Sequence, residues 1–280
     1  MFASSKVCAI ITYKTKQDIM EGVTIMKKLL LLIPIIALTA CGAINQTMPE
    51  ELPAGFGETE YETGREILPV ANDTQFTFVL PPPVTVGSKS VEEALESRRS
   101  RRNFMDRAIS VEQLSQILWA AYGITMPDDR AGLRGGFRTT PSAGATFPLE
   151  VYVVVGNVEG LEPGVYRYVS EEHKLVKVME GDVRNELAGA ALGQPWVRQA
   201  PATVFYSAVF YRTTSIYGDR GIMYVYIELG HSAQNVYLQA EALGLGTVAV
   251  GAFIDDRVRQ VLNLPDNEEP LYLMPIGYFY

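Results

Sequence analysis

Cysteine and histidine are scarce in this chain: 280 residues hold two of each. Both cysteines, Cys8 and Cys41, precede residue 42, so no disulfide staples the body. His173 and His231, with no further cysteine, leave no donor set for a dedicated zinc site, and no metal is expected. Basic charge is scarce too, with 24 Lys+Arg against 32 Asp+Glu and a net charge of −8. Residues 1–40 take five of the basic residues (Lys6, Lys14, Lys16, Lys27, Lys28), leaving 19 basic against 30 acidic in the remainder. Affinity for nucleic acid rests on neutralising phosphates, so nucleic acid is not an expected partner. Ser142 lacks the GxSxG elbow of a nucleophilic serine, and no internal repeat is present. The apolar run 29–38 is too short for a comfortable membrane-spanning helix.

That run belongs to MKKLLLLIPIIALTAC (26–41), where two lysines, an apolar stretch and small residues spell an export signal. LTAC (38–41) resembles a bacterial lipobox, which implies cleavage before Cys41 and a lipid on its thiol. A plain secretory signal or an uncleaved anchor is the alternative. Met26 already supplies the positive start, and the preceding Met-Glu-Gly would be encoded by purine-rich codons, like a ribosome-binding site. Residues 1–25 are therefore expected to be an upstream extension, 26–40 a signal peptide, and 41–88 a Pro/Glu-rich tether. The folded domain is expected over 89–280.

Within it, SVEE (90–93) and SVEQ (110–113) are capping boxes that open helices. The first helix is expected to run on into ESRRSRRNF, placing Arg98 and Arg102 one turn apart. The second carries Val111, Leu114, Ile117, Leu118 and Ala121 at helical spacing. Residues 126–140 read as a polar, glycine-containing loop and a candidate lid. Strands are expected over 149–156, 202–210, 247–254 and 270–279, with a hairpin over 164–180 and helices near 182–192 and 255–264. A long helix over 220–243 has an apolar seam of Ile222, Tyr226, Leu229, Ala233, Val236, Ala240 and Leu243. The mixture is α+β, a sheet among helices.

Several stretches carry candidate chemistry. Arg98, Arg99, Arg101 and Arg102 crowd around Ser100, and guanidinium forks with a hydroxyl suit a phosphate. A solvated basic helix end is the alternative. The small residues of TPSAGATFP (140–148) let backbone approach a flat ligand, or simply form a tight turn. Gly251 interrupts an apolar stretch, as at a bulge or a close backbone approach. Glu228 and His231 have the spacing of half a di-iron site, but no second Glu-x-x-His exists. With Asn235 and Gln239 they read better as a hydrogen-bonded polar seam.

Taken in order, SRRSRRNF, LSQILWAAYGIT, RTTPSAGATFPLEVYVVV, YGDRG, ELGHSAQNVYLQAEALGLG, VGAFIDD and PLYLMPIG resemble the nitroreductase flavoproteins, and most of all their SagB-type dehydrogenase branch. The resemblance covers about 90–277. It implies an α+β fold with a mostly antiparallel sheet flanked by helices, an interlocked homodimer, and FMN between the subunits. Residue by residue, Arg98, Arg99, Ser100 and Arg102 match the run that holds the flavin phosphate, ribityl chain and ring edge. Pro141, Ser142, Ala143 and Gly144 match the segment lying against the ring, often from the partner. Gly251 and Ala252 match the turn whose backbone N–H approaches the flavin N5. Tyr217 is the candidate acid or base. The azoline-oxidising pattern has Lys-Tyr where this chain has Ile216-Tyr217. A basic phosphate ligand near the C-terminus is also absent, and Thr146 and Phe147 replace the usual leucine and tyrosine.

The expected activity is FMN-dependent hydride transfer on an exported small-molecule or peptide substrate. The expected place is the cell envelope, lipid-anchored on a periplasmic or extracellular face. The alternative is a flavin-free lipoprotein that uses the dimeric fold to bind a peptide or small ligand.

Overall fold

The computed structural model describes residues 76–130 and 133–280. The leader, Cys41 and the tether as far as residue 75 lie outside the described residues. No described helix is long and apolar enough to cross a membrane.

Strands β1 (Thr77–Val79), β4 (Leu149–Val155), β5 (Gly164–Val169), β6 (Lys174–Glu180), β7 (Ala202–Ala208), β8 (Gly246–Thr247) and β9 (Glu269–Gly277) form one sheet in the order β1-β6-β5-β4-β7-β9-β8. Every pairing is antiparallel. β4 and β7 are buried along their whole length, so LEVYVVV and ATVFYSA show no polar alternation. Successive side chains still face opposite ways. Val151, Val153 and Val155 enter one core, while Tyr152 and Val154 enter the other. Each such valine contributes roughly 1.5–3 kcal/mol by leaving water.

Among the described residues seven helices follow in chain order: α1 (Val91–Ser97), α2 (Val111–Tyr122), α3 (Arg184–Ala190), α4 (Pro195–Gln199), α5 (Tyr211–Tyr217), α6 (Arg220–Ala242) and α7 (Asp255–Leu262). α2 and α6 cover the first face of the sheet, through Ile117, Leu118, Leu229 and Val236. α3, α4 and α7 cover the second, through Leu187, Val197 and Val258. This is the expected α+β arrangement. Both capping boxes form, at Ser90 with Glu93 and at Ser110 with Gln113.

The structure departs from the sequence-based expectations in five places. The body begins before residue 89: β1 pairs with β6, and the Pro81 carbonyl accepts bonds from Ser115 Oγ (2.6 Å) and His173 Nε2 (2.9 Å). Gln116 then clamps both backbone groups of Val84. The PPP at 81–83 disguises this edge strand as tether. Second, α1 stops at Ser97, because Arg98 is extended (φ −53, ψ 125), so Arg98 and Arg102 do not share a helix face. Third, the expected loop 126–140 is partly a hairpin, β2 (Ile124–Pro127) with β3 (Gly136–Arg138). Its anchor is the Arg138 side chain, 2% exposed and stacked against Tyr122 and Phe147. Fourth, of the expected strand 247–254 only Thr247 is regular, in β8 with Gly246, and Val250 makes a lone bridge to Leu273. Fifth, the seam of α6 is buried from Leu229 to Ala240 and half-buried at Leu243, but Ile222 and Tyr226 are exposed and Val225 turns inward instead.

Candidate functional site

Past the end of α1 the chain runs extended beside β8. Ser100 bridges Thr247, and Arg101 N donates to the Thr247 carbonyl at 2.9 Å. The arginines therefore fan out from a strand-like segment. Arg98 lies over the Tyr237 ring (5.2 Å), Arg101 over Phe279 (4.4 Å) and Arg102 over Trp196 (5.6 Å). Such stacking holds the guanidinium planes while leaving their N–H edges free. Among the described residues none of Arg98, Arg99, Arg101 and Arg102 has a carboxylate partner. Arg101 Nε, Trp196 Nε1 and Thr247 Oγ1, all close to this run, are buried without hydrogen bonds.

Tyr237 of α6 joins the run to the 249–252 turn. Its hydroxyl lies 3.1 Å from Ser100 Oγ and accepts from Ala249 N at 2.8 Å. Gly251 and Ala252 are both exposed. A Cβ at Gly251 would meet the Tyr272 ring at 3.1 Å. Gln194 holds the Ala252 carbonyl at 2.8 Å. The structure thus brings Arg98, Ser100, Arg102, Gly251 and Ala252 into one region. Arg99 sits at its edge, its side chain folded onto the Glu96 and Arg98 carbonyls.

The segment of Pro141, Ser142, Ala143 and Gly144 forms a second group. Gly144 has φ +58, and a Cβ there would lie 2.6 Å from the Tyr217 hydroxyl, so a glycine is what lets Tyr217 close over it. Tyr217 is 37% exposed and packs edge-on against Tyr224. Behind the segment lies Glu228, buried on α6. Tyr122 donates to its carboxylate at 2.5 Å. Burial raises the Glu228 carboxyl from its ordinary 4.5 to about 7, against the opposing pull of Ser142, Tyr122 and Arg138. The Tyr122 hydroxyl is itself driven well above its ordinary range, mainly by burial and then by Glu228.

Among the described residues no hydrogen bond or ring contact joins the two groups within the chain. Asn235 binds the Thr139 carbonyl and Thr140 Oγ1 on the side of the second group. Tyr237, two positions on, points about 200° away around the helix, toward the first. α6 stands between them.

The seam expected on α6 forms from Glu228, Asn235 and Gln239, which bonds Gln116 at 3.1 Å; His231 faces solvent instead. Sequence reasoning missed Tyr237, Trp196 and Gln194 as neighbours of the arginine run. Only their distance in space, not any local pattern, links them to it. A cavity of about 600 Å³ lies between residues 84–94, α2 and the C-terminal half of α6, and takes Asn235 and Gln239 from the α6 seam with Gln116 beside them.

A model described as the nitroreductase family matches residues 95–278. The chain is 50% identical over 187 residues to MJ1384, named as a nitroreductase, from Methanocaldococcus jannaschii, covering 67% of this chain and 90% of that protein. It is 31% identical over 112 residues to the NADPH-flavin oxidoreductase of Vibrio harveyi, covering 37% of this chain and 47% of that one. A solved structure from Ralstonia eutropha JMP134, described as a nitroreductase, superposes with a TM-score of 0.62 at 29% identity, covering 73% of this chain and 90% of that chain. The family match starts inside α1 and ends just past β9, taking in every later helix and all of the sheet except β1: the chain belongs to the nitroreductase family.

Proposed function

We propose that the chain is an FMN-dependent oxidoreductase whose working form is a homodimer. The observation that carries this reading is the arginine run. In a chain of net charge −8 it has no carboxylate partner among the described residues, and three unpartnered buried polar atoms lie beside it. A phosphate attached to a polyhydroxyl chain fits that donor set. Arg98, Arg102 and Ser100 would hold the phosphate and nearby hydroxyls, with Arg99 at the rim. Gly251 and Ala252 offer exposed backbone to the ring edge, and Pro141, Ser142, Ala143 and Gly144 offer a small-residue wall to its face. When bound, FMN supplies hydride and electron transfer between a donor and an acceptor. Tyr217, held against Gly144, is the acid or base at the edge of that wall.

Because α6 separates the two groups, one complete pocket takes the arginine run from one copy and the 141–144 wall from another. Exposed Ile222, Met223, Tyr226 and Ile227 on the N-terminal half of α6 offer apolar surface for the pairing. The flavin oxidoreductase of Vibrio harveyi supports the cofactor. The finer placement, in the SagB-type branch, rests on the motif string, and Ile216 before Tyr217 weighs against azoline oxidation. With the leader read as an export signal ending at Cys41, the enzyme is lipid-anchored at the cell envelope. It acts there on a small molecule or peptide, away from the cytosolic nicotinamide pool.

The test is FMN titration of the purified chain, read by flavin absorbance and fluorescence. Each charge-assisted contact is worth about 1.5–3 kcal/mol, so Arg98→Ala and Arg102→Ala should each weaken FMN binding roughly 10- to 100-fold. A wild-type chain that takes up no FMN would overturn the reading in favour of a flavin-free ligand-binding protein. Unchanged affinity in both variants would overturn the phosphate placement.

A further inference from the structure

We infer that the small cavity between Arg134 and Arg167 is a binding site for a phosphate dianion, free or as the head of a small phosphomonoester. It shares no residue with the arginine run at 98–102 or with the 141–144 wall, and it does not rest on the flavin reading above.

Four guanidiniums gather here around two carboxylates. Arg212 of α5 takes Glu150 of β4 at 2.7 Å. Arg138 of β3 takes Glu171 at 2.9 Å, and Ser170 Oγ donates to the same carboxylate at 3.3 Å. With those pairs made, Arg134 on the β2–β3 connection and Arg167 of β5 are left over. The carboxylate oxygens closest to them, both on Glu150, lie 3.6 and 3.8 Å away, beyond hydrogen-bond length. Among the described residues neither guanidinium makes a hydrogen bond. Glu268 is the further carboxyl within range of Glu150 and Arg167, and it opposes them little. Burial first, and then Glu150, hold its carboxyl above its ordinary range, and Tyr152 and Ser207 donate to it.

The cavity they line measures about 40 Å³ and also takes in Arg138, Tyr168 and Ser170. At roughly 10–15 Å³ for each water it holds about three waters, the bulk of one oxyanion head. Arg138 is its inner guanidinium: the side chain is 2% exposed, and Nε is buried with no hydrogen-bond partner. Arg134 and Arg167 are the outer ones, 37% and 35% exposed, so both stay reachable from solvent. Each carries a planar fork of N–H donors, the geometry that takes two phosphate oxygens at once. Glu150 and Glu171 also line the cavity, but each is neutralised by an arginine of its own. Burial first, and then the charge of Arg212, push the Arg134 guanidinium below its ordinary value. A dianion beside Arg134 and Arg167 relieves that crowding and matches the two charges left over, where a carboxylate would match one.

The experiment titrates sodium phosphate into the full chain by calorimetry at about pH 8, where phosphate is a dianion, with chloride holding the ionic strength constant. The arginine run at 98–102 is itself a phosphate site under the proposed function, so the titration is made in R98A/R102A. That chain should bind one phosphate. Adding R134Q or R167Q to it should weaken binding about 10-fold or more, and adding both should abolish it. Acetate, with one charge, should bind about 10-fold or more weakly than phosphate. Glycerol phosphate separates the two sources. Binding as tight as that of inorganic phosphate assigns the head of a phosphomonoester, and binding of inorganic phosphate alone assigns the free ion. No phosphate uptake by R98A/R102A would overturn the site, as would uptake that R134Q and R167Q leave unchanged or acetate binding as tight as phosphate. Should one of these variants fail to fold, the other decides.

Discussion

Glu228 is a carboxyl held where carboxylates are costly, and its own titration gives that cost a direction. Its folded value is raised to about 7 from 4.5, so the protonated form is favoured on folding. The associated stability is fully present below the unfolded value, declines as pH climbs from about 4.5, and is gone above about 7. A shift of this size corresponds to about 3 kcal/mol. Denaturant melts of wild type and E228Q at pH 5 and pH 8 should therefore show the difference between them moving by about that amount in favour of E228Q at the higher pH. A constant difference would mean that Glu228 does not change its protonation on folding. The polar face on which Glu228 sits was readable from its four-residue spacing, and three of its four members do make buried or half-buried hydrogen bonds. What spacing could not show is that Tyr122, 106 positions earlier, supplies the hydrogen bond to its carboxylate.

Local signals located elements well and their interruptions poorly. Both capping boxes form, and α6 spans nearly the expected residues, because caps and apolar periodicity act within one or two turns. The end of α1 at Ser97 has no glycine or proline to announce it; the pairing of Ser100 with Thr247 draws the chain into an extended path. The β2–β3 hairpin likewise depends on Arg138 reaching Ser170 and Glu171, and β1 depends on β6. β1 and the segment after it make a test of their own. A chain begun at Ser90 loses β1, both Pro81 carbonyl contacts and both bonds between Val84 and Gln116. At roughly 1 kcal/mol per hydrogen bond, it should be about 3–5 kcal/mol less stable than a chain begun at residue 76, read from denaturant midpoints. Equal midpoints would return these residues to the tether.

At the scale of the molecule, the sheet and its two cores make a rigid frame, and α6 is the wall that keeps the arginine run from the 141–144 segment. The chemistry of each half was legible in the sequence, in the crowding of arginines and the run of small residues. Their separation was not, because it follows from which way Tyr237 and Asn235 point. Under the proposed pairing, that wall has a genetic consequence. A chain crippled in the arginines, R98A/R102A, and a chain crippled in the opposite half, G144V, should each be inactive alone. When the two are unfolded together and refolded, random pairing makes about half of the dimers mixed, and each of these carries one whole pocket. Flavin binding should return to roughly a quarter of the wild-type site number, a complementation that a pocket built from a single chain could never show.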